Sequence, residues 1–215
     1  TGSMMEVSAA DVSQHFDSLL ASPALLTLYH TLFIAASALI VGLGIHNGIE
    51  AGLRVLMPSL FVILLVVLGY GSLIGDLGAA ADFLFTFNLA DLSLEGWLQA
   101  MGQSFFTLSL GMGAIMAYGA YMSGAASLTR TAFAIAVVDT AVAMVAGLAI
   151  FALVFGAGLD PAEGPGLMFV TLPLAFAEMP GGALVGGAFF ILVLGAAISS
   201  SISLIEPVAA FLVER

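Results

Sequence analysis

Residues 102–113 read Gly-Gln-Ser-Phe-Phe-Thr-Leu-Ser-Leu-Gly-Met-Gly and lie inside a longer apolar stretch, from Trp97 to Met122. Polar side chains and two glycines occupy the middle of this stretch, where a continuous buried helix would favour neither. A break there would expose backbone N–H and C=O groups to a bound solute. Close helix packing is the alternative, because Gly111 and Gly113 would serve it equally well.

The composition is that of a membrane protein. The chain is 61% hydrophobic and only 8% charged, with a mean hydropathy of +1.18, whereas soluble domains carry about 25% charged residues. It contains no cysteine, which excludes disulfides, thiol catalysis and thiolate metal sites. We therefore expect a polytopic membrane protein with no separate soluble domain.

A transmembrane helix needs about 20 predominantly apolar residues, and the chain supplies five such stretches. The sequence predicts an all-α membrane protein with five transmembrane helices, the third broken at mid-membrane. The spans are residues 25–45, 53–74, 97–122, 131–155 and 183–213. We interpret residues 1–3 as the remnant of a cleaved expression tag and residues 4–24 as an outer loop, with the membrane domain over residues 25–215.

A further apolar segment, residues 164–182, is too short to span and contains Pro165, Pro173 and Pro180. We call it the outer hairpin. It is predicted to dip back into the protein as a helical hairpin, because non-helical backbone at membrane depth is tolerated only when buried or lining a wet cavity. A lid resting on lipid headgroups is the alternative.

The basic residues indicate orientation. Arg54, Arg130 and Arg215 fall on one side of five alternating crossings, and the positive-inside rule makes that side cytoplasmic. We expect a multi-pass protein of the cell (inner) membrane, with the N-terminus outside and the C-terminus in the cytoplasm.

Asp139 stands alone in the uncharged run from Thr131 to Leu159. A carboxylate at that depth costs a few kcal/mol, so it usually faces the protein interior and meets an ion, a proton or a partner charge. Asp139 is therefore a functional candidate. The alternative is a packing role through a hydrogen bond to a neighbouring helix.

The fifth span carries a second polar patch. Ala196, Ser199, Ser200 and Ser203 recur at helical spacing on one face, so hydroxyls and a carbonyl could converge on a small hard cation. The serines could equally bond back to the preceding turn or to a neighbouring helix.

Residues 102–115, followed by Tyr118 and Tyr121, resemble the sixth transmembrane helix of the neurotransmitter:sodium symporter family. Residues 199–202 with Glu206-Pro207 resemble the family's eighth helix. This resemblance implies a LeuT-type inverted-repeat transporter fold, in which broken helices form the substrate and ion sites.

Two further motifs carry the resemblance. Residues 169–182 resemble the family's fourth outer loop, and Gly48 with Pro58 is similar to the glycine and proline pair of its fifth helix. Local unwinding at that pair is thought to open an inward path for sodium. The family's first-helix signature, Gly-Asn-x-Trp-Arg-Phe-Pro, does not occur in this sequence, so the five spans correspond to helices four to eight.

The resemblance assigns roles residue by residue. Sodium is the only metal implied, and its ligands would be Thr107 and Asp139 at a first site and Ala196, Ser199 and Ser200 at a second. The substrate would lie against Phe106, Ser109, Met112 and Leu204, with Gln103 beside the outer gate and with Gly48 and Pro58 in conformational roles.

Many family members have Asn at the position of Asp139, and chloride-dependent members hold a chloride nearby. A fixed carboxylate would supply that negative charge, so the resemblance implies that chloride is not required. It leaves open whether Asp139 binds sodium, exchanges a proton, or does both.

We expect sodium-coupled symport of amino acids or related small solutes, by a partial chain that cannot transport alone. Its partners would be the solute, the lipid bilayer, and missing transporter helices or a second copy, with no nucleic acid. A membrane scaffold or interaction subunit without transport is the alternative. We do not expect an enzyme, because His15, Asp17 and Ser18 lie together without an oxyanion motif.

Overall fold

The computed structural model describes residues 9–43, 51–86, 93–120, 122, 127–161 and 165–213. Gly48, Arg215 and residues 1–3 lie outside the described residues. The described helices are α1 (Ala9–Leu20), α2 (Pro23–Gly42), α3 (Ala51–Ile74), α4 (Leu77–Phe85), α5 (Leu94–Thr107), α6 (Ala114–Ala120), α7 (Leu128–Gly156), α8 (Leu172–Glu178) and α9 (Gly182–Val213). A π-helical turn, Leu167–Thr171, directly precedes α8.

Four described helices, α2, α3, α7 and α9, are each long and apolar enough to cross a membrane. The predicted third span is divided into α5 and α6, and residues 108–113 between them are not helical. The all-α membrane fold and the broken third span are thus confirmed, with the five predicted stretches present as four continuous helices and one interrupted one.

The break has a clear backbone cause. Ser109 takes a left-handed φ of 53°, and the Leu110 and Ser109 N–H groups donate to the carbonyls of Phe105 and Phe106 at 2.9 and 3.0 Å. These two bonds form a Schellman motif, which ends a helix by satisfying its last carbonyls. Gly111 then has φ 85°, which no α-helix contains.

The prediction that residues 4–24 form a loop is wrong for residues 9–20, which form α1. The Phe16 ring stacks on Phe169 of the π-helical turn with centroids 5.7 Å apart. This contact joins segments far apart in sequence, so local patterning did not reveal the helix. A helix also occupies Leu77–Phe85, where the Asp76 side chain accepts a hydrogen bond from the Ala79 N–H at 2.9 Å and so caps α4.

The main core lies between α3, α7, α8 and α9 and contains the outer hairpin. Leu172 and Ala175 of α8 are fully buried, and Phe176 packs on Phe189 of α9 with ring centroids 5.7 Å apart. The Tyr70 hydroxyl of α3 donates to the Pro180 carbonyl at 2.8 Å. The hairpin is therefore packed against protein on this side, and its depth in the membrane stays a prediction.

The C-terminal ends of α3 and α7 meet through small residues. A Cβ on Gly71 would lie 3.3 Å from the Ala149 carbonyl oxygen, and one on Gly156 would overlap the Cα of Gly75. We call this the glycine contact. The Asp76 N–H donates to the Ala152 carbonyl at 2.9 Å, so backbone meets backbone directly at this end of the bundle.

Candidate functional site

Thr107 and Asp139 meet where α5 ends. Thr107 is the last residue of α5, and its Oγ1 donates to both carboxylate oxygens of Asp139, on α7, at 3.2 Å. The Thr107 side chain is exposed and Asp139 is half-buried. The structure therefore brings together the two residues assigned to a first sodium site.

The contact between Thr107 and Asp139 is a long hydrogen bond that one hydroxyl shares between two carboxylate oxygens. Each Thr107–Asp139 separation is 3.2 Å, longer than the ~2.7–2.8 Å of an ordinary O–H···O bond. The carboxyl end of α5 favours positive charge through its helix dipole. The carboxylate charge and the helix dipole both favour a cation at this place.

The serine patch lies on α9. Ser199 Oγ donates to the Ala196 carbonyl at 2.8 Å, and Ser203 Oγ donates to the Ser199 carbonyl at 3.0 Å. The back-bonded arrangement considered as an alternative is therefore present. It does not disable the patch as a ligand set, because a hydroxyl that donates its one proton keeps lone pairs to bind a cation.

A cavity of about 550 Å³ opens beside the break and is lined by α3, α5, α6 and α9. We call it the break cavity. All the residues assigned to the substrate line it, namely Phe106, Ser109, Met112 and Leu204. Gln103, Thr107, Ser199 and Ser200 line it as well. Residues assigned to the gate, the substrate and both sodium sites thus share one space.

A second cavity, of about 880 Å³, lies between α3, α7 and α9. Asp139 and Ala196 line it, and Met57, Ser199 and Ser200 border both cavities. The serine pair therefore stands on the wall between the two spaces, with Asp139 facing the larger one.

Not every predicted residue joins the site. Pro58 lies inside α3 next to Met57 and lines neither cavity, and Gly48 is outside the described residues. Sequence reasoning missed Leu53 and Met57 of α3, which line the break cavity. Nothing distinguishes these two from the other apolar residues of that helix, so no sequence signal marked them.

Known proteins of similar sequence and structure are transporters. The profile of the sodium:neurotransmitter symporter family matches residues 12–215. The uncharacterized sodium-dependent transporter YhdH of Bacillus subtilis is 33% identical over 98% of this chain and 47% of its own length. An uncharacterized sodium-dependent transporter of Haemophilus influenzae is 32% identical over 90% of this chain and 42% of its own length.

Among solved structures, the crystal structure of MhsT in complex with L-phenylalanine superposes with a TM-score of 0.84 at 41% identity, over 95% of this chain and 46% of MhsT. The chain spans about half the length of the relatives that it matches. The profile match over nearly the whole chain, the broken helix and the shared fold lead to one conclusion. The chain belongs to the sodium:neurotransmitter symporter family.

Proposed function

We propose that this chain acts in sodium-coupled symport of an amino acid or a related small solute. The observation that carries the proposal is the Thr107–Asp139 pair, held at 3.2 Å across the end of a broken helix. A half-buried carboxylate in an apolar span is costly, and it usually meets an ion, a proton or a partner group. The relatives described as sodium-dependent transporters support the same choice.

Asp139 and Thr107 contribute a carboxylate and a hydroxyl oxygen to the first sodium site. The Ala196 carbonyl and the hydroxyls of Ser199 and Ser200 contribute to the second. In this proposal the Asp139 charge balances the cation at the first site, so chloride is not required. In this proposal Asp139 is a direct sodium ligand, and its carboxylate oxygens lie beside the Thr107 hydroxyl.

The solute occupies the break cavity, where Phe106, Met112 and Leu204 supply apolar surface and Ser109 a hydroxyl. An L-amino acid with a large apolar side chain is the first candidate, and the L-phenylalanine complex of MhsT supports it. Gln103 serves the outer gate. Gly48 and Pro58 act in opening the inward path.

Within the part of the chain that the structure describes, the proposed ligands supply only a few oxygens to each site, fewer than a hard cation takes. We expect the remaining ligands to come from outside these residues or from a second copy, so that this chain alone does not transport. A membrane scaffold without transport is the rival proposal, and it predicts no sodium dependence of any kind.

The deciding experiment uses the natural protein that contains residues 4–215, reconstituted in liposomes with radiolabelled L-phenylalanine and then with other amino acids. An inward sodium gradient should drive accumulation, and replacing sodium with choline should abolish it.

Thr107→Ala should raise the sodium concentration for half-maximal uptake by about 3- to 10-fold, since a hydrogen bond to a charged group is lost.

Thr140→Ala is the matched control, because the Thr140 hydroxyl donates to the Ala136 carbonyl of its own helix at 2.9 Å and Thr140 lines neither cavity. It should leave the sodium dependence unchanged. If no amino acid is taken up or bound in a sodium-dependent manner, the transport proposal is wrong and the result favours the scaffold proposal.

Orientation in the cell membrane is part of the proposal, with the N-terminus outside and the C-terminus in the cytoplasm. Cysteine introduced at Ser13 of α1 should react with an impermeant thiol reagent added to intact cells. Cysteine introduced at Ser127, the residue before α7, should react only after the membrane is permeabilised. Labelling in the reverse pattern would invert the proposed topology.

A further inference from the structure

One hydrogen-bonded chain in the break cavity has no role in the proposed function. The Tyr118 hydroxyl of α6 lies 3.1 Å from Ser203 Oγ of α9, and both groups are partly buried. Ser203 is one helical turn beyond Ser199, which belongs to the proposed second sodium site. The three residues therefore connect the helix that follows the break to that site.

The direction of these bonds follows from counting protons. A serine hydroxyl has one proton, and Ser203 Oγ donates it to the Ser199 carbonyl at 3.0 Å. Ser203 can then only accept from Tyr118, so the phenol donates. Bonds in such a chain polarise and strengthen one another. Loss of the phenol hydroxyl would free the Ser203 rotamer as well as break one bond.

A second contact fixes how α6 sits on α9. A Cβ on Gly113, the residue before α6, would lie 3.6 Å from Pro207 Cβ. Moving along α6 from Gly113 to Tyr118 corresponds to moving back along α9 from Pro207 to Ser203, so the helices run antiparallel. The Tyr118–Ser203 bond is the polar contact of this packing, and it lies on the side nearer Ser199.

We propose that Tyr118 is a positioning residue for the second sodium site: through Ser203 it holds the Ser199 turn and couples α6 to sodium binding. The inference rests on the proposed sodium site at Ser199 and Ser200. Because coupling is reciprocal, sodium bound at α9 also favours the docked position of α6, beside the solute. Sodium and solute would thereby stabilise the same arrangement of the broken helix.

The test is a sodium titration of solute binding or uptake by the natural full-length protein. Tyr118→Phe keeps the ring and removes the hydroxyl, and it should raise the half-saturating sodium concentration by about 3- to 10-fold. Ser203→Ala should do the same. Combining them should produce no more than the larger single effect, because both remove one coupled contact. Ser203→Thr retains the hydroxyl and should restore near wild-type sodium dependence.

Two other tyrosine variants are matched controls. Tyr29→Phe removes an exposed hydroxyl on α2, and Tyr70→Phe removes the bond to the Pro180 carbonyl. Neither should move the sodium titration, although Tyr70→Phe should lower thermal stability.

The outcomes separate the two proposals. A wild-type protein without sodium dependence would overturn the proposed function itself. A sodium-dependent wild type whose Tyr118→Phe variant titrates identically would overturn only the positioning role. A double variant with multiplied effects, or an equal shift in Tyr70→Phe, would also overturn it, since either result indicates independent action or general loosening.

Discussion

The glycine contact and the break between α5 and α6 both depend on glycine, for opposite physical reasons. At the glycine contact a Cβ on Gly156 would overlap Gly75 and come within 3.0 Å of the Asp76 backbone nitrogen. At the break Gly111 has open space around it but a φ of 85°. The first position is limited by space and the second by backbone conformation.

This difference separates stability from function. The glycine contact lets the Asp76 N–H reach the Ala152 carbonyl, and it holds α3, α4 and α7 together as a fixed frame. The break leaves Thr107 exposed at a helix end beside Asp139. Variants in the frame should therefore change stability alone, whereas variants at the site beside the break should also change sodium or solute binding.

The largest effect is expected in the frame. Gly156→Val would force α7 away from the backbone of Gly75 and Asp76, at a cost of about 3 kcal/mol in the free energy of unfolding. Thermal melting in detergent measures it. Gly147→Ala on the same helix is the control, since its Cβ would meet only the end of the Leu84 side chain, at 3.2 Å. Equal melting temperatures for the two variants would show that the ends of α3 and α7 are loosely packed.

The second largest effect is expected on sodium binding at Asp139, beside the break. Asp139→Asn keeps the shape of the side chain and removes its charge, so the half-saturating sodium concentration should rise by about 10-fold or more. Added chloride should partly restore transport, because the site then lacks a negative partner for its cation. Flux assays with and without chloride measure both changes.

Asp76→Asn is the matched control, because asparagine caps a helix about as well as aspartate and Asp76 lies in the frame. It should leave sodium and chloride dependence unchanged. If Asp139→Asn also leaves sodium and chloride dependence unchanged, Asp139 has a packing role. The separation between a frame that sets stability and a site that binds sodium would then be wrong.

Hydropathy predicted the long helices well, because burial in lipid depends on composition along one segment. The fourth span was predicted at residues 131–155 and α7 is Leu128–Gly156, while the fifth, predicted at 183–213, is Gly182–Val213. The break was also predictable, since residues 109–113 combine serine and glycines at mid-span. Each of these features is encoded locally.

Features that depend on contacts between distant segments were not predicted. Helix α4 packs through Phe83, whose ring lies 4.8 Å from that of Phe151 on α7, and no local pattern specifies that partner. The Tyr118–Ser203 bond depends on the antiparallel register of α6 against α9. The sequence indicated both residue types but not their pairing.

A smaller effect is expected at the break itself. Gly111→Ala adds only a methyl group, which meets no neighbour. It places an L-residue at φ 85°, and this should lower the free energy of unfolding by about 1–2 kcal/mol. Gly119→Ala adds the same methyl group inside α6, also with nothing within 4 Å, and should be neutral or stabilising. A larger loss of thermal stability in Gly119→Ala than in Gly111→Ala would contradict the conclusion that backbone conformation requires glycine at the break.

The smallest effect on stability is expected for Ser109→Gly, and it should be a gain and not a loss. Ser109 adopts φ 53° where a Schellman motif usually has glycine. Ser109→Gly removes strain of about 1–2 kcal/mol but adds the entropy cost of glycine, about 0.5–1 kcal/mol, so the net gain in the free energy of unfolding is at most about 1.5 kcal/mol. Ser104→Gly, inside helical α5, adds the entropy cost of glycine but relieves no backbone strain. Its free energy of unfolding should therefore fall by about that entropy cost.

The same change should weaken solute binding, because Ser109 lines the break cavity with its hydroxyl. Melting temperature and solute affinity of Ser109→Gly should therefore move in opposite directions, as expected where backbone strain is kept for function. If Ser109→Gly instead melts below the wild type, as Ser104→Gly should, strain at the helix end is not what distinguishes the break from the frame. If affinity is unchanged while stability rises, Ser109 shapes the break without touching the solute.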